Sequence, residues 1–285
     1  QEFFSSLADK NVTVPFYMYS EEGIAALDRL NRQRKWVEKP EGRIERFAVD
    51  QEKAKAIIAG ADAESRDTLT TKESIALLDA YGVRVCRSAL AKTEDEAVAI
   101  ANSIGYPIVM KMTSKTTSHK TDVGGVRVGI ASEEALRREY RDLIAKLTER
   151  GLDKGLEGVL IQEMVKSSRE MVCGLATDPQ YGPMIMFGLG GVFVEVLKDI
   201  SFRIAPLTDQ DASEMVRSVK AWKLLEGVRG LPRAQTDKIE ETLLRLSQLV
   251  TDFPRVSELD INPLMISDKD GEAIAVDARV KLAKA

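Results

Sequence analysis

The stretch SELDINPLMISDKDGEAIAVDARV, residues 257–280, has two segments of alternating apolar residues separated by the turn residues DKDG at 268–271. Alternation on both sides of such a turn predicts an antiparallel hairpin. Pairing about the middle of that turn makes Asn262 the cross-strand neighbour of Asp277, with Asp260 two residues away on the same face. Adjacent amide and carboxylate oxygens are suitable Mg²⁺ ligands. A hydrogen-bonded Asn–Asp pair fits the same pattern.

The rest of the chain mixes strand and helix patterns without strict alternation. Strand patterns occur at 11–19, 83–88, 107–112, 126–130, 159–165, 170–176, 183–187 and 193–196. Helix patterns occur at 21–37, 51–59, 72–81, 132–150, 209–220 and 236–250, and Thr93 with Glu96 opens a further helix that ends near Gly105. Because several predicted strands follow one another directly, antiparallel or mixed sheets are favoured over a doubly wound sheet. The fold class is α/β in the α+β sense.

A break in the pattern separates a short N-terminal piece from the rest. The strand at 11–19 and the helix at 21–37 form one β/α unit, which is too small to bury its own core. We therefore expect residues 1–40 to be the end of an α/β domain that lies mostly before residue 1. The breaker Lys39-Pro40-Glu41-Gly42 and the polar residues after it predict a linker over 41–65, followed by a domain over 66–285.

Composition excludes several functional classes. Of the 285 residues, 44% are hydrophobic and 30% are charged, and the net charge is -4. These values are typical of a globular protein without a nucleic-acid-binding patch. No apolar run reaches the roughly 18 residues that span a membrane, and the first residues lack signal-peptide features. Cys86 and Cys173 have no partners at metal-ligand spacing, so we expect buried free thiols, a cytoplasmic protein and no zinc site.

A polar loop between two predicted strands contains the single histidine. The loop runs from Ser114 to Gly125, with His119 near its middle and Gly124 beside its end. A loop imidazole flanked by lysines is suited to accept phosphate as a nucleophile, and glycines let backbone N–H groups approach a phosphate. A surface histidine fits the loop equally well, and two glycines by themselves favour a plain turn.

Other polar residues interrupt or border the apolar strands. Lys111 lies within an apolar strand, where a lysine either reaches solvent from a sheet edge or meets an anion, because an unpaired buried ammonium is costly. Glu163 ends one apolar strand and Glu170 opens the next, positions where a lone glutamate is ordinarily an edge charge. The turn Gly188-Leu189-Gly190-Gly191 completes neither the dinucleotide fingerprint nor a P-loop.

Three segments, in the same order, resemble the ATP-grasp part of ADP-forming acyl-CoA synthetases. The first runs from Lys111 to Val126 and includes SHKTDVGGV, the second is DPQYGPMIMFGLGGVFVE at 178–195, and the third is ELDINPL at 258–264 with VDA at 276–278. The third segment is also similar to the succinyl-CoA synthetase β subunit. The resemblance covers residue 66 to the C-terminus and implies an ATP-grasp fold with two subdomains.

The resemblance also implies roles for individual residues. It implies that His119 accepts phosphate from ATP, or returns it to ADP, as a phosphohistidine. It implies nucleotide contacts, through phosphate or adenine, for Lys111, Gly124, Gly125, Glu163, Met164, Val165 and Glu170. It further implies that Asn262 and Asp277 bind Mg²⁺, in agreement with the hairpin pattern.

On this resemblance the enzyme joins a carboxylic acid to CoA while ATP is converted to ADP and phosphate. Residues 1–40 resemble the last strand and helix of a flavodoxin-like CoA-ligase domain, so CoA would bind through domains outside this chain. The expected partners are nucleotide, the acid and a CoA-binding domain or subunit, in an oligomer, without nucleic acid or membrane. The alternatives are an ATP-grasp carboxylate ligase that forms acyl phosphate directly, a nucleotide-sensing module without catalysis, and a structural subunit.

Overall fold

The chain divides into two units, Gln1–Gly42 and Arg43–Ala285. The computed structural model describes residues 15, 17–114, 125–151, 156–167, 169–191, 199–227 and 230–283. In the first unit, helix α1 spans Ser20–Val37 and confirms the helix predicted there. The strand predicted at 11–19 lies largely outside the described residues, and the described ones among them are not in a strand.

The second unit contains seven helices and ten strands among its described residues. In chain order they are α2 (Gln51–Ala63), α3 (Thr71–Ala80), β1 (Ser88–Ala91), α4 (Glu94–Ile104), β2 (Ile108–Ser114), β3 (Val126–Ile130), α5 (Glu133–Glu149), β4 (Leu156–Glu163), β5 (Arg169–Asp178), β6 (Gly182–Leu189), β7 (Ile200–Ile204), α6 (Asp209–Ser218), α7 (Trp222–Leu225), α8 (Thr236–Asp252), β8 (Val256–Ile266), β9 (Ala273–Ala275) and β10 (Ala278–Leu282). Among the described residues, each helix is too short or too polar to span a lipid bilayer.

These strands form two antiparallel sheets. The small sheet has the order β1-β4-β2-β3, and the large sheet has the order β10-β8-β5-β6-β7, with β9 also paired to β8. Every pairing within the two sheets is antiparallel, which confirms the predicted sheet type.

The small sheet buries one face under α4 and α5. Ile108, Met110 and Met112 alternate along β2 and are fully buried in a core that includes Leu136 and Leu143 of α5. Because side chains alternate along a strand, Lys111 projects from the opposite face of the same sheet.

The large sheet buries one face against α3, α6 and α8. Met171, Cys173 and Leu175 of β5 belong to that core. The opposite face, which we call the open face, carries Gly174 of β5 and its cross-strand partner Asp260 of β8. The open face is thus available to carry polar chemistry, while the buried face holds the second unit together.

Residues 41–65, predicted as a linker, contain α2, which packs into the same core. Ala54, Ile58 and Ala61 are buried there. The chain then enters α3 through a capping box in which Thr70 and Glu73 each accept from the other's backbone N–H, as the sequence predicts. This part of the chain therefore belongs to the large-sheet core.

The strand predicted at 83–88 is displaced, since β1 begins only at Ser88. The preceding residues instead join the two sheets. Arg84 O accepts from Ala275 N at 2.9 Å, and Cys86 N donates to Ala275 O at 3.1 Å. Arg87 O accepts from Glu163 N at 2.8 Å. Because these bonds go to different sheets, the segment forms a connection between them rather than a strand of either.

One further difference concerns β7, and one prediction next to it is not tested. The prediction missed β7 itself, and the strand predicted at 193–196 lies outside the described residues. Residues Ile200, Phe202 and Ile204 of β7 are exposed, whereas Ser201 between them is buried. Apolar and polar residues nevertheless alternate strictly from Ile200 to Ile204, so a strand signal was present in the sequence and the prediction overlooked it.

Candidate functional site

Lys111 is held between the two sheets. It lies in the interior strand β2, with Leu160 of β4 and Val126 of β3 as cross-strand neighbours, and it is 8% exposed. Its Nζ donates a hydrogen bond to the carbonyl oxygen of Val276 at 3.0 Å and lies 3.5 Å from Asp277 Oδ2. Of the two alternatives that the sequence left open, the structure supports the anion contact, because Lys111 meets a carboxylate and a carbonyl instead of solvent.

Val276 and Asp277 form the break between β9 and β10. On either side of that break the hairpin keeps one register, with Ala275 opposite Leu264 and Ala278 opposite Ile261. Continuing this register across the break places Asp277 opposite Asn262, as the turn position predicts. One register shift lies in the ladder between β8 and β5, between Met171 and Cys173. A second lies at the far end of the hairpin, between Lys281 and Leu282, so neither alters the register between Leu264 and Ile261.

Acidic side chains gather on this part of the open face. Asp277 is partly exposed, and its Oδ1 accepts from its neighbour Ala278 N at 3.0 Å. The pKa of Asp260 is raised, first by desolvation from the surrounding protein and then by the Asp277 carboxylate, while Arg279 opposes the shift. Asp260 and Asp277 thus place two carboxylates close together on this face, where a positive charge would reduce their mutual repulsion.

The donor set fits a magnesium ion that is shared with a ligand. Among the described residues, no group of three or more His, Cys, Asp or Glu side chains could hold a metal unaided. Mg²⁺, however, usually takes one or two carboxylates and completes its shell with water and substrate phosphates. The Asp277 carboxylate and the Asn262 amide oxygen, opposite each other in the hairpin, match that requirement.

Glu163, at the end of β4, is engaged by an arginine. Arg87 Nε donates to Glu163 Oε2 at 3.0 Å, and this bond lowers the pKa of Glu163 despite partial desolvation. Met164 and Val165 follow without regular secondary structure and are partly exposed. Because Arg87 occupies the Glu163 side chain, the backbone of the next residues is the more available part of this segment for a ligand.

Glu170 lies beneath the glycine-rich turn. Its carbonyl accepts from Gly190 N at 2.8 Å, and a Cβ on Gly191 would come within 3.0 Å of Glu170 Oε2. Gly125 is buried beside β2, where its carbonyl accepts from Met112 N at 2.8 Å. His119 and Gly124 lie outside the described residues, so their roles stay predictions.

Sequence reasoning missed Gln162. This residue of β4 is 1% exposed, and its Nε2 donates to Val276 O at 2.7 Å while also contacting Cys86 Sγ. A signal was present, because Gln162 is an amide directly after the apolar run Val159–Ile161. A buried amide of this kind requires hydrogen-bond partners, but the sequence does not identify them.

Residues 60–282 match the ATP-grasp domain family. The chain is 41% identical over 276 residues to 4-hydroxybutyrate–CoA ligase (ADP-forming) of Nitrosopumilus maritimus, covering 97% of this chain and 39% of that protein. It is also 41% identical over 230 residues to the β subunit of acetate–CoA ligase (ADP-forming) I of Pyrococcus furiosus, covering 81% of this chain and 98% of that subunit. The chain belongs to the ADP-forming acyl-CoA synthetase family.

Within this family of synthetases, the chain corresponds to the ATP-grasp portion and spans about two fifths of the Nitrosopumilus relative. Its fold also matches the dinucleotide-forming acetyl-CoA synthetase 1 of Ca. Korarchaeum cryptofilum, with a TM-score of 0.71 and 37% identity over 81% of this chain and 100% of that one. That structure contains coenzyme A and Mg-AMPPCP, and its phosphohistidine segment points towards the nucleotide-binding site.

Proposed function

We propose that this chain binds the nucleotide and transfers phosphate in an ADP-forming acyl-CoA synthetase. The complete reaction is acid + CoA + ATP ⇌ acyl-CoA + ADP + phosphate. In the proposed half-reaction, an imidazole nitrogen of His119 attacks the γ-phosphorus of ATP. The bond between that phosphorus and the β–γ bridging oxygen breaks, and ADP leaves with its electron pair.

The observation that carries this proposal is the contact between Lys111 and Asp277. It brings a buried ammonium group from the small sheet to the point where Asn262 and Asp277 face each other on the large sheet. Phosphoryl transfer requires charge neutralisation and positioning more than covalent work by the protein. Lys111 would supply a positive charge for phosphate oxygens, and the hairpin would supply oxygen ligands for a cation.

The residues of the hairpin would hold the metal. Asp277 and Asn262 would provide its protein ligands, and bound Mg²⁺ would neutralise charge on the nucleotide phosphates. Lys111 Nζ lies 3.5 Å from Asp277 Oδ2. Lys111 would turn to the phosphates when nucleotide binds, so that Asp277 becomes free for the metal.

The segment after β4 would receive the base of the nucleotide. Glu163, Met164 and Val165 follow directly from the strand that pairs with β2, which carries Lys111. With the Glu163 side chain bound to Arg87, the backbone groups of Met164 and Val165 are available to recognise a planar ring. Glu170 and the glycine turn above it would provide a further nucleotide contact, and Gly124 with Gly125 would cover the phosphates.

The CoA and the acid would bind to another part of the enzyme. The Pyrococcus relative is a separate β subunit of nearly the same extent as this chain, whereas the Nitrosopumilus relative is much longer. These relatives support a CoA-binding domain or subunit as the partner that exchanges phosphate with His119. Residues 1–40 would be the end of such a CoA-ligase domain.

The test is phosphorylation of the chain by ATP that carries a labelled γ-phosphate, in the presence of Mg²⁺. We expect acid-labile, base-stable label on the native chain and none on the His119→Asn variant, with both proteins binding ATP. Label on both proteins would place the phosphate elsewhere. No label despite ATP binding would overturn the phosphohistidine step in favour of direct acyl-phosphate formation, and a lack of ATP binding would overturn the whole proposal.

A further inference from the structure

The carbonyl group of Val276 receives two donors from the small sheet. Gln162 Nε2 donates to it at 2.7 Å, and Lys111 Nζ donates to it at 3.0 Å. A carbonyl oxygen has two lone pairs, so this pair of bonds satisfies it fully. Val276 is 8% exposed, and the residue after it is Asp277. The position of the Asp277 backbone is therefore fixed by side chains of the other sheet.

The two donors differ in whether a bound ligand can draw them away from the Val276 carbonyl. Lys111 is charged and lies 3.5 Å from the Asp277 carboxylate, so an incoming phosphate group can draw its ammonium away from Val276. Gln162 is neutral, and its amide is 1% exposed between Val276 O and Cys86 Sγ. Its bond to Val276 does not depend on a ligand.

We infer that Gln162 is a positioning residue for nucleotide binding, an inference that rests on the function proposed above. Its amide keeps the Val276 carbonyl hydrogen-bonded when Lys111 moves to the phosphates. Without Gln162, the same movement would leave a buried carbonyl without a donor, which carries a penalty comparable to a lost hydrogen bond. Gln162 thereby makes Lys111 available to the nucleotide and keeps Asp277 in place.

If Gln162 acts in this way, the effect of its replacement on the Kd for ADP should depend on whether Lys111 is present. Gln162→Met removes the amide donor and keeps a side chain of similar length, and we expect it to raise the Kd for ADP about tenfold, which corresponds to about 1.4 kcal/mol. In a Lys111→Met background no lysine has to leave Val276. The same change at Gln162 should then alter the Kd less than about twofold, so the two substitutions are coupled.

Cys86→Ala is the matched control. It removes the other group that the Gln162 amide contacts but keeps the bond to Val276. We expect the Kd for ADP to stay within about twofold of the native value. Gln162→Glu is a second test variant, because a carboxylate also lacks the donor and would in addition attract the Lys111 ammonium. It should weaken ADP binding at least as much as Gln162→Met.

Isothermal titration calorimetry with ADP measures all these affinities, and thermal melts followed by circular dichroism establish that each variant is folded. An unchanged Kd in folded Gln162→Met or Gln162→Glu would overturn the inference while leaving the proposed function intact. A tenfold loss that is the same with and without Lys111 would also overturn it, since that result indicates only a structural role. A native chain that does not bind ADP would overturn the proposed function itself.

Discussion

Lys111 Nζ and Asp277 Oδ2 lie 3.5 Å apart, although one residue belongs to the small sheet and the other to the hairpin of the large sheet. The lysine is almost buried, whereas the aspartate is partly exposed. This contact therefore presents a positive and a negative group side by side at one surface. A nucleotide phosphate would bind the first, and a metal ion would bind the second.

Replacing Lys111 should weaken nucleotide binding strongly. On the proposed function, Lys111→Met would remove a charge-assisted hydrogen bond to phosphate, and we expect the Kd for ATP to rise at least about tenfold, or about 1.4 kcal/mol. Calorimetric titration with ATP measures this change. The control is Lys238→Met, because Lys238 is an exposed lysine paired with Glu241 at 2.8 Å. Equal affinities of the Lys111→Met variant and the native chain would contradict the assigned role.

Replacing Asp277 should change the Mg²⁺ requirement of nucleotide binding, in contrast to the general loss of affinity expected for Lys111→Met. On the proposed function, Asp277→Asn would remove a carboxylate ligand of Mg²⁺ but keep a side chain of the same size, so ATP binding should require a higher Mg²⁺ concentration, by about tenfold. Binding of ADP without metal should not weaken, because the substitution also removes a negative charge that repels phosphate. Titrating Mg²⁺ at fixed ATP tests the first expectation. An unchanged Mg²⁺ requirement would rule out Asp277 as a metal ligand.

The glycine turn near Glu170 should tolerate no side chain at Gly190. A Cβ there would lie 2.8 Å from the Met171 carbonyl carbon and oxygen, which belong to the backbone and cannot move aside easily. We expect Gly190→Ala to destabilise the chain by about 1–3 kcal/mol. Urea unfolding measures the loss.

The matched control for that substitution is Gly60→Ala in helix α2. A Cβ on Gly60 meets nothing within 4 Å, so alanine should stabilise the chain by up to about 1 kcal/mol. If both alanine variants changed the free energy of unfolding by the same amount, close backbone packing would not explain why position 190 requires glycine.

Local sequence signals predicted the register of the hairpin on both sides of its turn, but not the break between β9 and β10 or the register shift at Lys281. The turn at 268–271 sets the hairpin register, and the register alone places Asn262 opposite Asp277. Capping residues such as Thr70 likewise locate a helix start, because the bonds they make are three residues away. Signals of this kind involve residues that lie close together in the chain, so they can be recognised from the sequence alone.

The contacts between the sheets could not be predicted in the same way. Neither alternation nor turn chemistry indicates that Lys111 and Gln162 share the carbonyl of Val276, since that contact depends on how two sheets are oriented in space. The contacts of the segment at 84–87 could not be predicted from local sequence signals either. It has the composition of a strand, yet it bonds to Ala275 on one side and Glu163 on the other.

The raised pKa of Asp260 gives the stability of the metal-free chain a defined pH dependence. Desolvation and the Asp277 carboxylate make the folded chain bind this proton more tightly than the unfolded chain does. Stability should therefore fall as pH rises from the unfolded pKa of about 3.9 through the folded value, and the destabilisation should be fully present above it. Asp260→Asn removes the titrating group and should remove this destabilisation.

Thermal melts of native chain and Asp260→Asn across pH 3–7 measure the effect. Because Asp260 is partly exposed, we expect a gain of at most about 1 kcal/mol near pH 7, or about 2–4 °C in Tm, that vanishes below about pH 4. The control Glu258→Gln breaks an exposed pair with Lys281 at 3.0 Å and should give no gain. Added Mg²⁺ should reduce the difference in Tm between the two proteins at pH 7, because a cation bound at Asp277 would offset the repulsion between Asp277 and Asp260. A gain that persisted unchanged at low pH would show that charge at Asp260 is not its cause.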